Sequence, residues 1–398
     1  MLIELHMIQN FAPSNLNRDD TGAPKDCEFG GVRRARISSQ CIKRAMREEF
    51  KKNSLLPDNT RLLSPDELAY RTKILVSEVV DLIVEQGKDR EQAQAAISSA
   101  LGGAGLAVKE DKTEYLLYIG STAISRLAEV CTQHWDALTA KAQGSEKKGG
   151  AKKKAAKAAV PKEVGEAVRE ILDGARAADL ALFGRMLADI PESNIDAASQ
   201  VAHAISTHKV AMEFDFFTAV DDLQPREETG AGMMGTVEFN SACFYRYANV
   251  DVDQLNRNLG FDEDLARRTI EAFLHASKDA IPTGKQNSFA AQNPPAFILA
   301  VVREKSGSVS LANAFEKSIH TGRNDGLVEP SIEALDKYWE DFTAMYGKKG
   351  IKTIVASRMG DKPELKGLES VDGFKVVTFD DLVNSVMEAV ELKEAAQS

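Results

Sequence analysis

Gln40, Lys43, Arg44 and Arg47 fall at i, i+3, i+4 and i+7, so a helix would carry them on one face and Ile42, Ala45, Met46 and Phe50 on another. Long cations in that arrangement can neutralise successive phosphates, and a merely solvated helix face is the competing reading of the same pattern. Ser38 or Ser39 stands where such a helix begins, and free N–H groups and the helix dipole favour an anion there. Arg33, Arg34 and Arg36 lie just upstream, and Gly30-Gly31 lets a backbone come close to a ligand. The chemistry on offer is a track for a phosphate backbone.

Other candidate groups give less. Cys27, Cys41, Cys131 and Cys243 lack CxxC spacing, and the six histidines do not fall beside them in zinc-site patterns, so reduced structural thiols are expected. Gly30-Gly31 and Gly102-Gly103 are not followed by Lys-Ser or Lys-Thr, and Thr283-Gly284-Lys285-Gln286 has no earlier glycine at P-loop spacing, which argues against a nucleotide triphosphatase. His203 and His208 do not match two-histidine metal geometry and are expected to serve as structural hydrogen-bonding groups. Asp19-Asp20 and Asp221-Asp222 could bind a metal or activate water, although turns and caps are the commoner use of such pairs. No metal or cofactor is expected.

The elements that must position these residues are legible in outline. Leu2 to Phe11 reads as a first strand, and Ala12 to Ile37 as a long loop rich in Asn, Asp, Gly and Pro. A helix follows to about Lys51, then a mostly helical stretch from Ser64 to about Ala204, with Leu68, Leu75, Val79, Leu82 and Ile83 on one stripe. Glu213 to Val250 changes to β-formers around a Gly-rich centre, a long hairpin. Beyond it, helix is expected at Glu263–Ala280, Ser331–Tyr346 and Phe379–Leu392, and strand at Ala296–Val302 and Ile351–Ser357. The pattern predicts an α+β core with lobes extruded from it.

Charge is unevenly spread over the 398 residues, whose net charge is −10. Lys25 to Arg47 holds seven basic residues against two acidic ones, a net of +5, and the low-complexity stretch Lys141 to Lys162 holds eight against one, a net of +7. What matters for a polyanion is this local field. Met212 to Glu238 carries seven acidic residues and only Arg226 as a base, so the hairpin is no phosphate clamp. Its aromatic and apolar residues, Phe216, Phe217, Met233 and Met234, could wedge against bases, or the two phenylalanines could pack as core. The first residues form neither a signal peptide nor a membrane span, so a cytoplasmic protein without membrane partners is expected.

The blocks Leu16-Asn17-Arg18-Asp19-Asp20, Lys25-Asp26, Phe29-Gly30-Gly31, Arg33-Arg34, Arg36-Ile37-Ser38-Ser39-Gln40 and Lys43-Arg44-Ala45-Met46-Arg47 closely resemble the start of the CasC family, the RAMP-superfamily backbone subunit of type I-E CRISPR Cascade. The resemblance continues in Phe217-Thr218-Ala219-Val220-Asp221-Asp222-Leu223, Phe244-Tyr245-Arg246-Tyr247-Ala248-Asn249 and Ala312-Asn313-Ala314-Phe315-Glu316. It implies an RRM-like (ferredoxin-like) palm at 1–63 and 237–398, helical fingers at 64–211 and a thumb hairpin at 212–236, while the Lys-rich insertion 141–162 within the fingers departs from the family pattern and inherits no role. It further implies a non-catalytic scaffold that polymerises head to tail on CRISPR guide RNA. The guide would pair with target DNA, beside other Cascade subunits and a separately recruited helicase-nuclease. Carried over by motif position, Arg18, Lys25, Ser38, Gln40, Lys43, Arg44 and Arg47 are expected at the guide backbone. Met186 and Met234 are expected beside a displaced base, with Phe216 and Phe217 on the thumb. The rival reading is a metal-dependent ribonuclease of the type III backbone kind, using Asp19 or Asp20.

Overall fold

A buried central strand organises the larger of two compact units. Strand β1 (Leu2–Ser14) is buried along most of its length and pairs antiparallel with β11 (Met233–Asp251) on one side and β12 (Phe297–Arg303) on the other. A strand covered on both faces reads as an apolar run, which is why Leu2 to Ile8 lacks strict alternation. The computed structural model describes residues 1–52, 61–139, 160–173, 176–187, 189–219, 233–304, 307–322 and 325–393, with only the backbone of residues 219, 233 and 234. Contacts divide the chain into one unit of Met1–Thr60, Ser199–Asp253 and Ile270–Leu392, and a second of Arg61–Ala198, Gln254–Thr269 and Lys393–Ser398.

In the first unit the large sheet runs in the order β14-β13-β12-β1-β11-β9-β3-β2. Its remaining members are β2 (Asp26–Phe29), β3 (Val32–Ile37), β9 (Ala204–Ser206), β13 (Ile351–Arg358) and β14 (Lys375–Val376). Strands β8 (Ser199–Val201) and β10 (Glu213–Ala219) also pair with β11. The mixed α+β class expected from the sequence is what the structure has. One face of the sheet is covered by α11 (Val328–Tyr346), whose Trp339, Leu335 and Ile332 pack on Ile8, Tyr245, Leu299 and Phe315.

Two expectations are corrected. The segment 12–37 is not one loop: β1 continues to Ser14, and β2 and β3 form a hairpin with Phe29 opposite Val32. Gly30 and Gly31 make its two-residue turn with φ +61° and +72°, the left-handed pair that matches strand twist. The helical lobe also ends before residue 211, because β8 and β9 pair with β11 and belong to the sheet unit.

The second unit is mainly helical, with short two-stranded pairings of β4 (Ala69–Thr72) with β7 (Leu117–Gly120) and of β5 (Val108–Lys109) with β6 (Lys112–Thr113). Its core comes from α2 (Leu75–Glu85), α3 (Arg90–Ala104), α4 (Thr122–Gln133), α5 (Trp135–Thr139) and α6 (Lys162–Asp173). Leu75, Val79 and Ile83 form the expected stripe, while Leu68 precedes the helix. Glu67 receives the Arg268 guanidinium at 2.7 and 2.9 Å, which holds its carboxyl below the usual range. Among the described residues no helix is long and apolar enough to cross a membrane. All four cysteines are free, and burial pushes the Cys131 and Cys243 thiols up to about 12 and about 11.

A polar stripe lies inside the sheet core. Glu4 is fully buried, pairs with Arg303, and accepts from the Tyr247 hydroxyl at 3.0 Å and the Val309 N–H. The Tyr245 hydroxyl accepts from Leu311 N–H at 2.9 Å, which leaves its own proton for His6 Nδ1 at 2.8 Å. Burial first, and the Arg303 charge second, lower the pKa of His6 from 6.5 to about 3. The folded chain therefore keeps His6 neutral where the unfolded chain would bind a proton, so stability falls as pH drops from about 6.5 toward 3. In urea titrations across that window, His6→Gln should remove a pH dependence of about 1.4 kcal/mol per unit relative to the parent chain. Equal slopes in the two chains would mean that His6 is protonated in the fold.

Candidate nucleic-acid interface

The basic helix is α1 (Ser39–Lys51), and its first turn is tied down by groups distant in sequence. Ser38 is the N-cap, its hydroxyl accepting from Cys41 N–H at 3.3 Å while its own N–H donates to Asn17 Oδ1 at 2.8 Å. Asn17 O in turn accepts from Lys25 N–H at 2.8 Å, and Lys25 O accepts from Arg36 N–H at 2.9 Å. The loop that carries Arg18 and Lys25 is thus stitched to the end of β3 and the start of α1. Asn15, fully buried, braces that loop by donating to Gly22 O and Glu238 O, both at 2.9 Å.

Three arginines within four residues have three different fates. Arg33 is exposed and pairs with Asp26. Arg36 donates to Asp26 O at 3.1 Å and to His203 Nδ1 at 3.2 Å. Arg34 is completely buried, and its guanidinium donates to the carbonyls of Phe29 (3.2 Å), Ser206 (3.1 Å), Phe315 (2.8 Å) and Glu316 (3.2 Å). Gly30 lies flat on the same place: a Cβ there would stand 1.8 Å from Glu316 O. The Gly30-Gly31 pair therefore serves a turn and a close backbone contact.

Arg18, Gln40 and Arg44 are exposed, and Lys25 and Lys43 are half-buried. Arg18, Lys25 and Arg44 make no ion pair among the described residues. Their like charges are uncompensated among the described residues, an arrangement suited to a polyanion. His203 Nδ1 accepts from both Arg36 and Ser39 N–H (3.2 Å), so its proton sits on Nε2. Burial first, then the Arg36 and Lys25 charges, lower its pKa. His208 likewise serves hydrogen bonds, to Lys209 O and from Cys243 N–H, as expected for a structural histidine.

Two sequence assignments change. Arg47 does not join the open face but is 9% exposed, because the last turns of α1 bury a wide arc that includes Ala45, Met46, Glu49 and Phe50. Ser38 is buried and its hydroxyl is engaged as the cap. Asn17 and His203, which the charge pattern does not single out, are the groups that hold the site in shape. Asn17 stands inside a block of the family resemblance, which is the signal in the sequence that points to it.

On the hairpin, Phe214 and Phe216 share one face and Phe217 takes the other, at 68%, 62% and 40% exposure, so they are not core residues. Phe217 lies over Gly235, where a Cβ would meet its ring at 2.6 Å. The side chain of Met234, the acidic residues 221–228 and the Lys-rich stretch 141–159 lie outside the described residues. In the second unit Met186 is 82% exposed. Its neighbour Arg185 is buried and donates to Ser193 O, Leu172 O and Tyr118 O at 2.6 to 3.3 Å, and Gly184, at φ +73°, presses against Ile195 O. A buried arginine anchor thus sets an apolar side chain in solvent.

Asp19 Oδ1 accepts from the Thr21 hydroxyl (2.8 Å), Thr21 N–H (2.9 Å) and Ala23 N–H (3.0 Å), and the Thr21 hydroxyl above all holds its pKa below the usual range. That is a turn-forming arrangement; Asp20 beside it is exposed. Among the described residues no three of His, Cys, Asp and Glu gather as metal ligands.

The CT1975-like protein family matches residues 3–385. A solved chain of a "CRISPR RNA-guided surveillance complex, pre-nicking" is 31% identical, with a TM-score of 0.83 over 98% of this chain and 100% of that one. A chain of another "CRISPR RNA-guided surveillance complex" is 25% identical, with a TM-score of 0.73 over the same shares. No curated protein matches the sequence.

The Arg34 anchor can be tested directly. Lysine offers three donors at a single point and cannot reach all four carbonyls, so Arg34→Lys should cost about 2–4 kcal/mol in urea unfolding. A loss below about 0.5 kcal/mol would show that the carbonyls do not depend on the guanidinium.

Proposed function

This chain belongs to the CT1975-like protein family, and on that premise we propose that it is the guide-RNA-binding backbone subunit of a CRISPR surveillance complex of the type I-E kind. The observation that carries this reading is the end-to-end similarity to a chain of an RNA-guided surveillance complex. The cations along the first turns of α1 and on the loop before it supply a physical reason for it. Arg18, Lys25, Lys43 and Arg44, with Gln40 beside them, bind phosphates and carry no base-specific edge pattern, so any guide sequence is accepted. The guide bases stay available to pair with target DNA.

In this reading the sheet unit is the RRM-like palm and the second unit the fingers. The hairpin is a thumb whose aromatics, Phe216 and Phe217, meet bases by stacking, which needs no positive charge. Met186 and Met234 sit beside a displaced base. Copies assemble head to tail in the cytoplasm, next to the other subunits of the complex, and DNA cutting is left to a recruited helicase-nuclease. The subunit is a scaffold and not an enzyme.

Two experiments test it. Lys25→Ala with Arg44→Ala should reduce the slope of log affinity against log salt by about 1.4, two phosphates at about 0.7 each, equally on unrelated guide RNAs. A loss confined to one guide would contradict a phosphate track. An assembled complex given complementary RNA with magnesium or manganese should give no cleavage. Regularly spaced products that vanish in Asp19→Ala or Asp20→Ala would establish the ribonuclease reading instead.

A further inference from the structure

The turn at residues 282–290 has a backbone that its own residues do not favour. The one-turn helix α10 (Gln286–Phe289) is bracketed by Lys285 (φ +51°, ψ +21°) and Ala290 (φ +47°, ψ +37°), both left-handed and neither glycine. Such positions are taken more readily by glycine or asparagine and persist only when the surroundings impose them. Here they do. Gly284 is wedged onto the loop of Arg18 and Lys25, where a Cβ would stand 2.3 Å from Leu16 O and 2.6 Å from Asn15 O. Gln286 braces the turn by donating to Pro282 O (3.0 Å) and Ala291 O (3.3 Å), and Phe289 packs against Phe239 at the hairpin root, with ring centroids 5.5 Å apart.

The lysine side chain plays no part in this bracing. Its carbonyl accepts from Ser288 N–H and Phe289 N–H, which any residue could provide, while its side chain makes no ion pair or hydrogen bond among the described residues. The exposed Asn287 and Ser288 follow it. A strained, half-buried lysine with no partner among the described residues therefore follows a glycine seated on Asn15 and Leu16, at the start of the loop that carries Arg18 and Lys25, and the exposed Asn287 and Ser288 beside it can donate hydrogen bonds. A further cation on a segment that touches this loop adds to the local field a polyanion would meet.

We propose that Lys285 is a further phosphate contact of the bound single-stranded RNA, held by the seating of Gly284 on Asn15 and Leu16, where the loop that carries Arg18 and Lys25 begins. The inference rests on the guide-binding reading and adds to it an element more than two hundred residues away from α1 in the chain.

The test uses the full chain and two unrelated synthetic single-stranded RNAs. Lys285→Gly relieves the left-handed strain, so its Tm should be equal to or above that of the parent. Its slope of log affinity against log salt should fall by about 0.7, and its affinity at 0.15 M salt by about four-fold. Lys285→Arg should restore both. A lower Tm for Lys285→Gly would assign the lysine to the turn itself and overturn the proposal. So would an unchanged slope while Arg44→Ala flattens it, and so would lost self-assembly with unchanged RNA affinity, which would mark a protein contact. If neither Lys285→Gly nor Arg44→Ala alters the slope, the guide-binding reading fails, and this proposal with it.

Discussion

The guanidinium of Arg34 sits in a fully buried place and binds four backbone carbonyls from three separate parts of the chain. A buried cation is tolerated only when hydrogen bonds replace its water, and carbonyl dipoles turned inward do that here. Those carbonyls belong to the β2–β3 turn, to β9 and to the 315–316 segment, so one side chain joins the hairpin that precedes α1 to the sheet and to the segment lying over it. The flat approach of Gly30 to Glu316 O is part of the same contact. With β3 held this way, α1 starts at one place, and the direction of Gln40, Lys43 and Arg44 follows.

The second unit uses the same device. Arg185 is buried on three carbonyls, Gly184 permits the tight approach, and Met186 is left in solvent. In both cases arginine suits the task because a planar fork of donors can serve several carbonyls at once, which the point charge of a lysine cannot. The sheet core adds a third polar inclusion, Glu4 with Arg303, Tyr247 and Val309 N–H, which clamps the chain crossing above β1. Such inclusions make one arrangement of the covering segment much better than its alternatives, since a shift would leave buried polar groups unpaired.

Charge is handled differently at the surface. Arg33 is matched by Asp26, whereas Arg18, Lys25 and Arg44 have no acidic partner within the described residues. His203, placed among Arg36 and Lys25, stays neutral because both donors that reach its Nδ1 require a lone pair. It can therefore tie Ser39 N–H and Arg36 together without adding another positive charge to a region that already repels itself.

Local periodicity in the sequence determined the existence and type of most elements. It gave the apolar stripes of α1, α2 and α11, the strands at the sheet centre and the helices after the hairpin, because these depend on residues within a turn or two of each other. It also put Gln40, Lys43 and Arg44 of α1 on one face. The β2–β3 hairpin is not legible in the sequence because its polar composition resembles loop, and only pairing with β9 makes β3 part of a sheet. Alternation along β3 would treat Arg34 and Arg36 alike, yet one lies beneath Phe315 and Glu316 and the other at the rim beside His203. Arg47 has the spacing of a surface cation and is buried. Lys285 has the look of an ordinary loop lysine until its strained backbone and the Gly284 wedge are seen. In each of these cases the deciding neighbour lies far along the chain, and no pattern of nearby residues contains it.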